Sequence, residues 1–143
     1  MRFDAADPDW GKDFAVDGAA VYSLAVSGTN LFVGGDFFPP SLSSFIQPNL
    51  AKIATTGVGA ADTNWPANNV IGCVYSLALS GTDLYVGGSF KAVGGISRTN
   101  LAKLSALSGA LDTNWNPSIA TANTFVISTN DLPLRIGADS NGN

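Results

Sequence analysis

Glutamate and histidine are missing from this 143-residue chain, and cysteine occurs once. All eleven acidic residues are Asp. Without histidine there is no imidazole for acid–base or metal chemistry near neutral pH. One cysteine, Cys73, excludes an intrachain disulfide and reads as a small buried hydrophobe rather than a nucleophile. Charged residues make up only 13% and the net charge is −4, with no basic cluster. Nucleic acid is therefore not an expected partner, because phosphate binding needs Lys and Arg gathered on one face. No apolar run is long enough to cross a bilayer as a helix, so no membrane insertion is expected. Met1-Arg2-Phe3-Asp4 lacks the apolar stretch of a secretory signal.

Glycine and proline are plentiful, with sixteen and seven copies. Asp prefers turns and caps where Glu would favour a helix. No window combines helical periodicity with caps. The composition predicts an all-β chain.

The chain then repeats itself. The run from Val21 to Gly35, VYSLAVSGTNLFVGG, returns from Val74 to Gly88 as VYSLALSGTDLYVGG, an offset of 53 residues. Asn49-Leu50-Ala51-Lys52-Ile53 returns as Asn100-Leu101-Ala102-Lys103-Leu104. Asp62-Thr63-Asn64-Trp65 returns as Asp112-Thr113-Asn114-Trp115, and Asp7-Pro8-Asp9-Trp10 is a third copy. Units of this length, with short apolar runs divided by turn residues, predict the blades of a β-propeller.

Each unit reads as four strands. In the first, bulky Tyr22, Leu24 and Val26 alternate with small Ser23, Ala25 and Ser27, a period of two. Gly28 and Gly81 supply the positive φ of tight hairpins into the second strand. The third strand covers Asn49 to Ala54 and Asn100 to Ser105. The fourth is expected at the Asp-Thr-Asn-Trp element, short and polar as an outer edge should be. Residues 1–13 would then be the outer strand of a preceding blade, 21–66 and 74–117 two full blades, and 124–143 truncated or degenerate inner strands. Pro133 lies inside the last of these, where proline is tolerated mainly at an edge.

These motifs together resemble the delta-60 repeat family of bacterial β-propeller repeat proteins. The second unit fits best, including Phe90-Lys91-Ala92-Val93-Gly94-Gly95. The first departs at Phe37-Phe38-Pro39-Pro40-Ser41-Leu42, where the family carries a Gly-rich turn. The resemblance implies large, often secreted or cell-surface proteins with many repeats in a row. It implies no catalytic residues.

Candidate sites follow from the repeat. Trp10, Trp65 and Trp115 are expected as packing anchors, with Tyr22 and Tyr75 at matching positions of the first strands. Gly34-Gly35 and Gly87-Gly88 have no helix or Lys-Ser/Thr pair after them, so they mark close backbone approach between blades rather than phosphate loops. Asp62 with Asn64, and Asp112 with Asn114, are too few oxygens for calcium and predict side-chain-capped turns. Lys52 and Lys103 are expected to be solvated and to snorkel, with the stem along the sheet and the charged head in water. No metal or cofactor is expected. Asp36, Phe37, Phe38 and Phe45, with Asn68 and Asn69, fall in loops that share one face of a propeller and form the candidate ligand site.

Two blades with flanking pieces fall short of the usual four to eight. Apolar faces at the ends then need further blades of the same parent chain, or self-association. The expected function is a non-catalytic module binding protein or glycan at the cell surface. A structural repeat without ligand is the alternative. A propeller enzyme cleaving polysaccharide through paired Asp residues, Asp36 among them, is a more distant one.

Overall fold

A computed structural model of the chain describes residues 20–37, 47–65 and 70–117. Among these residues all regular structure is β, in two antiparallel sheets. The first sheet contains β1 (Ala20–Ser27), β2 (Asn30–Asp36) and β3 (Leu50–Ala54), in that spatial order. The second contains β4 (Ile71–Ser80), β5 (Asp83–Val93), β6 (Ile96–Ser97) and β7 (Leu101–Ser105). There β5 is central: β4 pairs one of its edges, while β7 and the short β6 share the other.

The same local chemistry builds both sheets. Ser27 pairs Asn30 and Ser80 pairs Asp83, leaving two-residue loops. Gly28 and Gly81 hold φ of 57° and 58° in those loops, a conformation costly for any residue with a Cβ. Asn49 and Asn100 are also left-handed, at 66° and 64°. Asparagine tolerates this conformation better than most residues. In each unit the Asn amide N–H donates to a Phe carbonyl, Phe37 or Phe90. Its carbonyl accepts from Gly35 or Gly88. These bonds fix where the third strand begins.

The fourth strand differs from expectation. The Asp-Thr-Asn-Trp element contributes one bridge per unit, Ile53 to Ala61 and Leu104 to Leu111, and then turns away. The cause is local. Asp62 Oδ1 accepts from Asn64 N–H at 3.1 Å and Asp112 Oδ1 from Asn114 N–H at 3.0 Å, so each Asp closes a turn where a strand would continue. The fourth strand of the second sheet is instead β6, from the Val93-Gly94-Gly95-Ile96 hairpin. The expected segments 1–13 and 124–143 lie outside the described residues.

The sheets pack face to face, β4 against β1 and β2. The main core lies between them, with Phe32, Leu50 and Trp65 from the first unit against Val74, Leu77, Leu84 and Val86 from the second. A smaller core of Val33, Phe37, Ala51 and Ile53 lies in the first unit.

Candidate functional site

The alternation in the first strands decides how the sheets meet. The small side of the first sheet, Ser23 and Ala25 with Gly34, faces the bulky side of β4. A Cβ built on Gly34 would lie 2.6 Å from Val74 Cγ1 and 3.3 Å from Leu77, so any larger residue there must displace the Val74 side chain. Leu77 N–H donates to Ser23 Oγ at 3.0 Å across the interface. The Tyr22 and Tyr75 rings meet at 5.2 Å between centroids. Gly35 and Gly88 serve a different contact, within their own sheets. A Cβ there would lie 2.1 Å from the carbonyl oxygen of Ala20 or Cys73, where the first strand bulges at Tyr22 or Tyr75. Gly87 is buried beside Gly88 in β5.

The two described tryptophans pack alike but to different depths. Trp65 is 1% exposed and tilted on Phe32 at 5.4 Å. Trp115 meets Tyr85 edge-on at 5.4 Å and is half-buried. A buried side chain secures each tryptophan turn from below. Gln47 Nε2 donates to the carbonyls of Asp62 and Trp65, both at 2.7 Å. In the second unit Arg98 does the same, Nη1 to Trp115 O at 2.6 Å and Nη2 to Asp112 O at 3.5 Å. Gln47 and Arg98 do not look alike in sequence, so the shared clamp was not legible there.

The lysines are also more committed than a solvated role requires. Lys52 is buried and pairs with Asp62 at 3.1 Å. Lys103 lies 3.3 Å from Asp112 and 3.5 Å from Asp83. The Lys103 hydrogen bond holds the Asp112 carboxyl below its ordinary range, and the same bond raises Lys103.

Of the candidate ligand residues, Asp36 is exposed at the end of β2, and Phe37 is buried in the smaller core. Asn49 Oδ1 accepts from Phe37 N–H at 3.0 Å, which fixes that backbone. Phe38, Phe45, Asn68 and Asn69 lie outside the described residues, as does Trp10. Asp36 has a neighbour that reading each unit by itself does not reveal, the Cys73 thiol at the start of β4. Cys73 is half-buried. The thiol interacts with the Asp36 carboxylate and the Tyr75 hydroxyl. Burial foremost, then the Asp36 charge, pushes the thiol above its ordinary value. Burial and the neighbouring Cys73 raise Tyr75 as well. Both groups are therefore protonated at neutral pH, and a protonated thiol is a poor nucleophile. Among the described residues no three acids or cysteines gather as metal ligands.

The described residues thus form an all-β arrangement of two stacked antiparallel sheets. No protein-family model, curated protein or solved structure matches the chain.

Proposed function

We propose that the chain is a non-catalytic repeat module, two blades of a β-propeller, that presents loops for binding protein or glycan at a cell surface. The observation that carries this reading is the use made of the repeated polar residues. Asp62 and Asp112 close turns, Lys52 and Lys103 pair with them, and Gln47 and Arg98 clamp the same turns. These groups maintain the scaffold, which leaves variation between units to the connecting loops. Loops on a rigid sheet scaffold are where binding residues concentrate. The β2–β3 connection is where the units differ most. It runs from Asp36 to Pro48 in the first unit, and in the second the corresponding stretch folds back as the β5–β6 hairpin.

The experiment is capture on glycan and peptide arrays with the full chain. Binding that Asp36→Asn or alanine substitution in the Asp36–Pro48 connection weakens, with no polysaccharide cleavage, is the expected result. Release of reducing ends from a polysaccharide, lost in Asp36→Asn, would overturn the reading in favour of a glycosidase.

A further inference from the structure

The polar residues that recur between the units serve the scaffold, and Asp36 does not recur. Register makes Asp36, paired with Ala20, the counterpart of Ser89, paired with Cys73. The carboxylate stands exposed at the end of β2. Among the described residues the ion pairs join Lys52 to Asp62 and Lys103 to Asp83 and Asp112, and none reaches Asp36. Its neighbours Cys73 and Tyr75 are both protonated at neutral pH, so neither adds a charge. An aromatic pair stands beside it. Each first strand bulges at its tyrosine, and a bulge re-aims the side chain of the extra residue. The Tyr22 and Tyr75 rings meet across the two sheets at 5.2 Å, tilted by 59°, with Tyr22 still 41% exposed. Tyr22 lies two residues along β1 from Ala20, the partner of Asp36. The Asp36 charge is also felt at Tyr75. Rings at this tilt are not a shared flat platform for a sugar face. A ring face beside a carboxylate without a counter-charge is instead a site for an organic cation.

We infer that Asp36, Tyr22 and Tyr75 together form a binding site for an arginine side chain of a basic peptide. The inference rests on the binding-module reading and names the partner of its Asp36 site. The guanidinium donates two parallel hydrogen bonds to the Asp36 carboxylate and lays its plane on the exposed Tyr22 ring. Tyr75 backs that ring and holds its orientation. Lysine, a compact and strongly hydrated point charge, meets the carboxylate but uses the ring less well. A neutral side chain gains from neither. The net charge of −4 draws in a partner of the same positive sign.

The test is titration of the full chain, by calorimetry or NMR, with a short glycine-rich peptide carrying one arginine. The same peptide with lysine, or with citrulline as the neutral isostere of arginine, runs beside it. The arginine peptide binds tightest, the lysine peptide less, and the citrulline peptide not detectably. Added salt weakens the arginine peptide. Asp36→Asn weakens it roughly tenfold. Tyr22→Leu, which removes the ring, weakens it roughly two- to fivefold, while Tyr22→Phe, which keeps the ring, binds as the parent chain does. Equal binding of the arginine and citrulline peptides overturns the inference, and so does the absence of binding at millimolar arginine peptide. Parent-like binding by Asp36→Asn or by Tyr22→Leu overturns it too. A neutral oligosaccharide that displaces the arginine peptide also overturns it, by giving the site to a sugar. Tyr22 lies outside the Asp36–Pro48 connection. Array capture without any preference for arginine therefore sinks this inference alone, whereas polysaccharide cleavage sinks the module reading.

Discussion

At the scale of single residues, the glycines separate three physical causes that look identical in the sequence. Gly28 has open space around it and a φ of 57°, so its substitution costs only backbone strain. Gly34 has an ordinary φ but faces Val74 and Leu77 of the other sheet. Gly35 faces a backbone carbonyl that cannot yield. Chemical denaturation should rank the alanine variants accordingly. Gly28→Ala costs about 1–2 kcal/mol. Gly34→Ala falls within roughly 1–3 kcal/mol, since the neighbouring side chains can shift. Gly35→Ala exceeds both. A Gly35→Ala variant as stable as Gly28→Ala would contradict the bulge geometry. The tryptophans give a second ranking. Trp65→Ala empties a fully buried site and should cost about 3–5 kcal/mol, while half-buried Trp115 should cost clearly less. Equal losses would contradict the difference in burial.

At the scale of elements, three of the expected strands per unit were legible because their signals are local. Alternation marked β1 and β4, Gly-Thr loops fixed the hairpins, and the Asn-Leu-Ala-Lys run marked β3 and β7. The fourth strand was misjudged because Asp62 and Asp112 act as turn-formers against a weak strand signal, and the hydrogen bonds to Asn64 and Asn114 decide the competition. The β6 strand was not legible. It depends on Val93-Gly94-Gly95-Ile96 folding back, and in the first unit the corresponding residues have a different sequence. The shared clamp beneath the tryptophan turns makes a prediction of its own. Arg98→Gln should keep most of its stability, because glutamine already does this work in the first unit. Gln47→Ala removes the Gln47 donor from the buried Trp65 carbonyl and leaves the Asp62 carbonyl with only the Trp65 N–H, and should cost about 1–3 kcal/mol by thermal or urea unfolding. A Gln47→Ala variant of unchanged stability would remove the clamp from the account.

The Lys103–Asp112 pair belongs to the same scale and sets a pH dependence. The Asp112 carboxyl is lowered in the fold, so its contribution is present above the ordinary carboxylate range and is lost as pH falls through the lowered value. The Lys103 ammonium is raised, so its contribution is present below the ordinary lysine range and fades as pH rises through the raised value. The pair is partly exposed and its effect is small and screened by salt. Lys103→Met should therefore reduce the loss of stability on acidification, and the difference should shrink in high salt. An acid unfolding curve identical to that of the parent chain would show that the pair carries none of the dependence.

At the scale of the whole molecule, the repeat in the sequence becomes a stack of two sheets, each presenting a small side and a bulky side. The stacking was legible in outline, from the large/small split of the first strands. The Asp36–Cys73–Tyr75 contact was not, because it joins the end of one unit to the start of the next. Reading units in parallel hides contacts between them. The central claim is that the small face of the first unit receives the bulky face of the second, and proton–proton contacts in solution test it most directly. The account predicts through-space signals from the Tyr22 ring to the Tyr75 ring and from Gly34 to the Val74 and Leu77 methyls. Gly34 in contact with neither methyl group, while the pairing within each sheet persists, would contradict it.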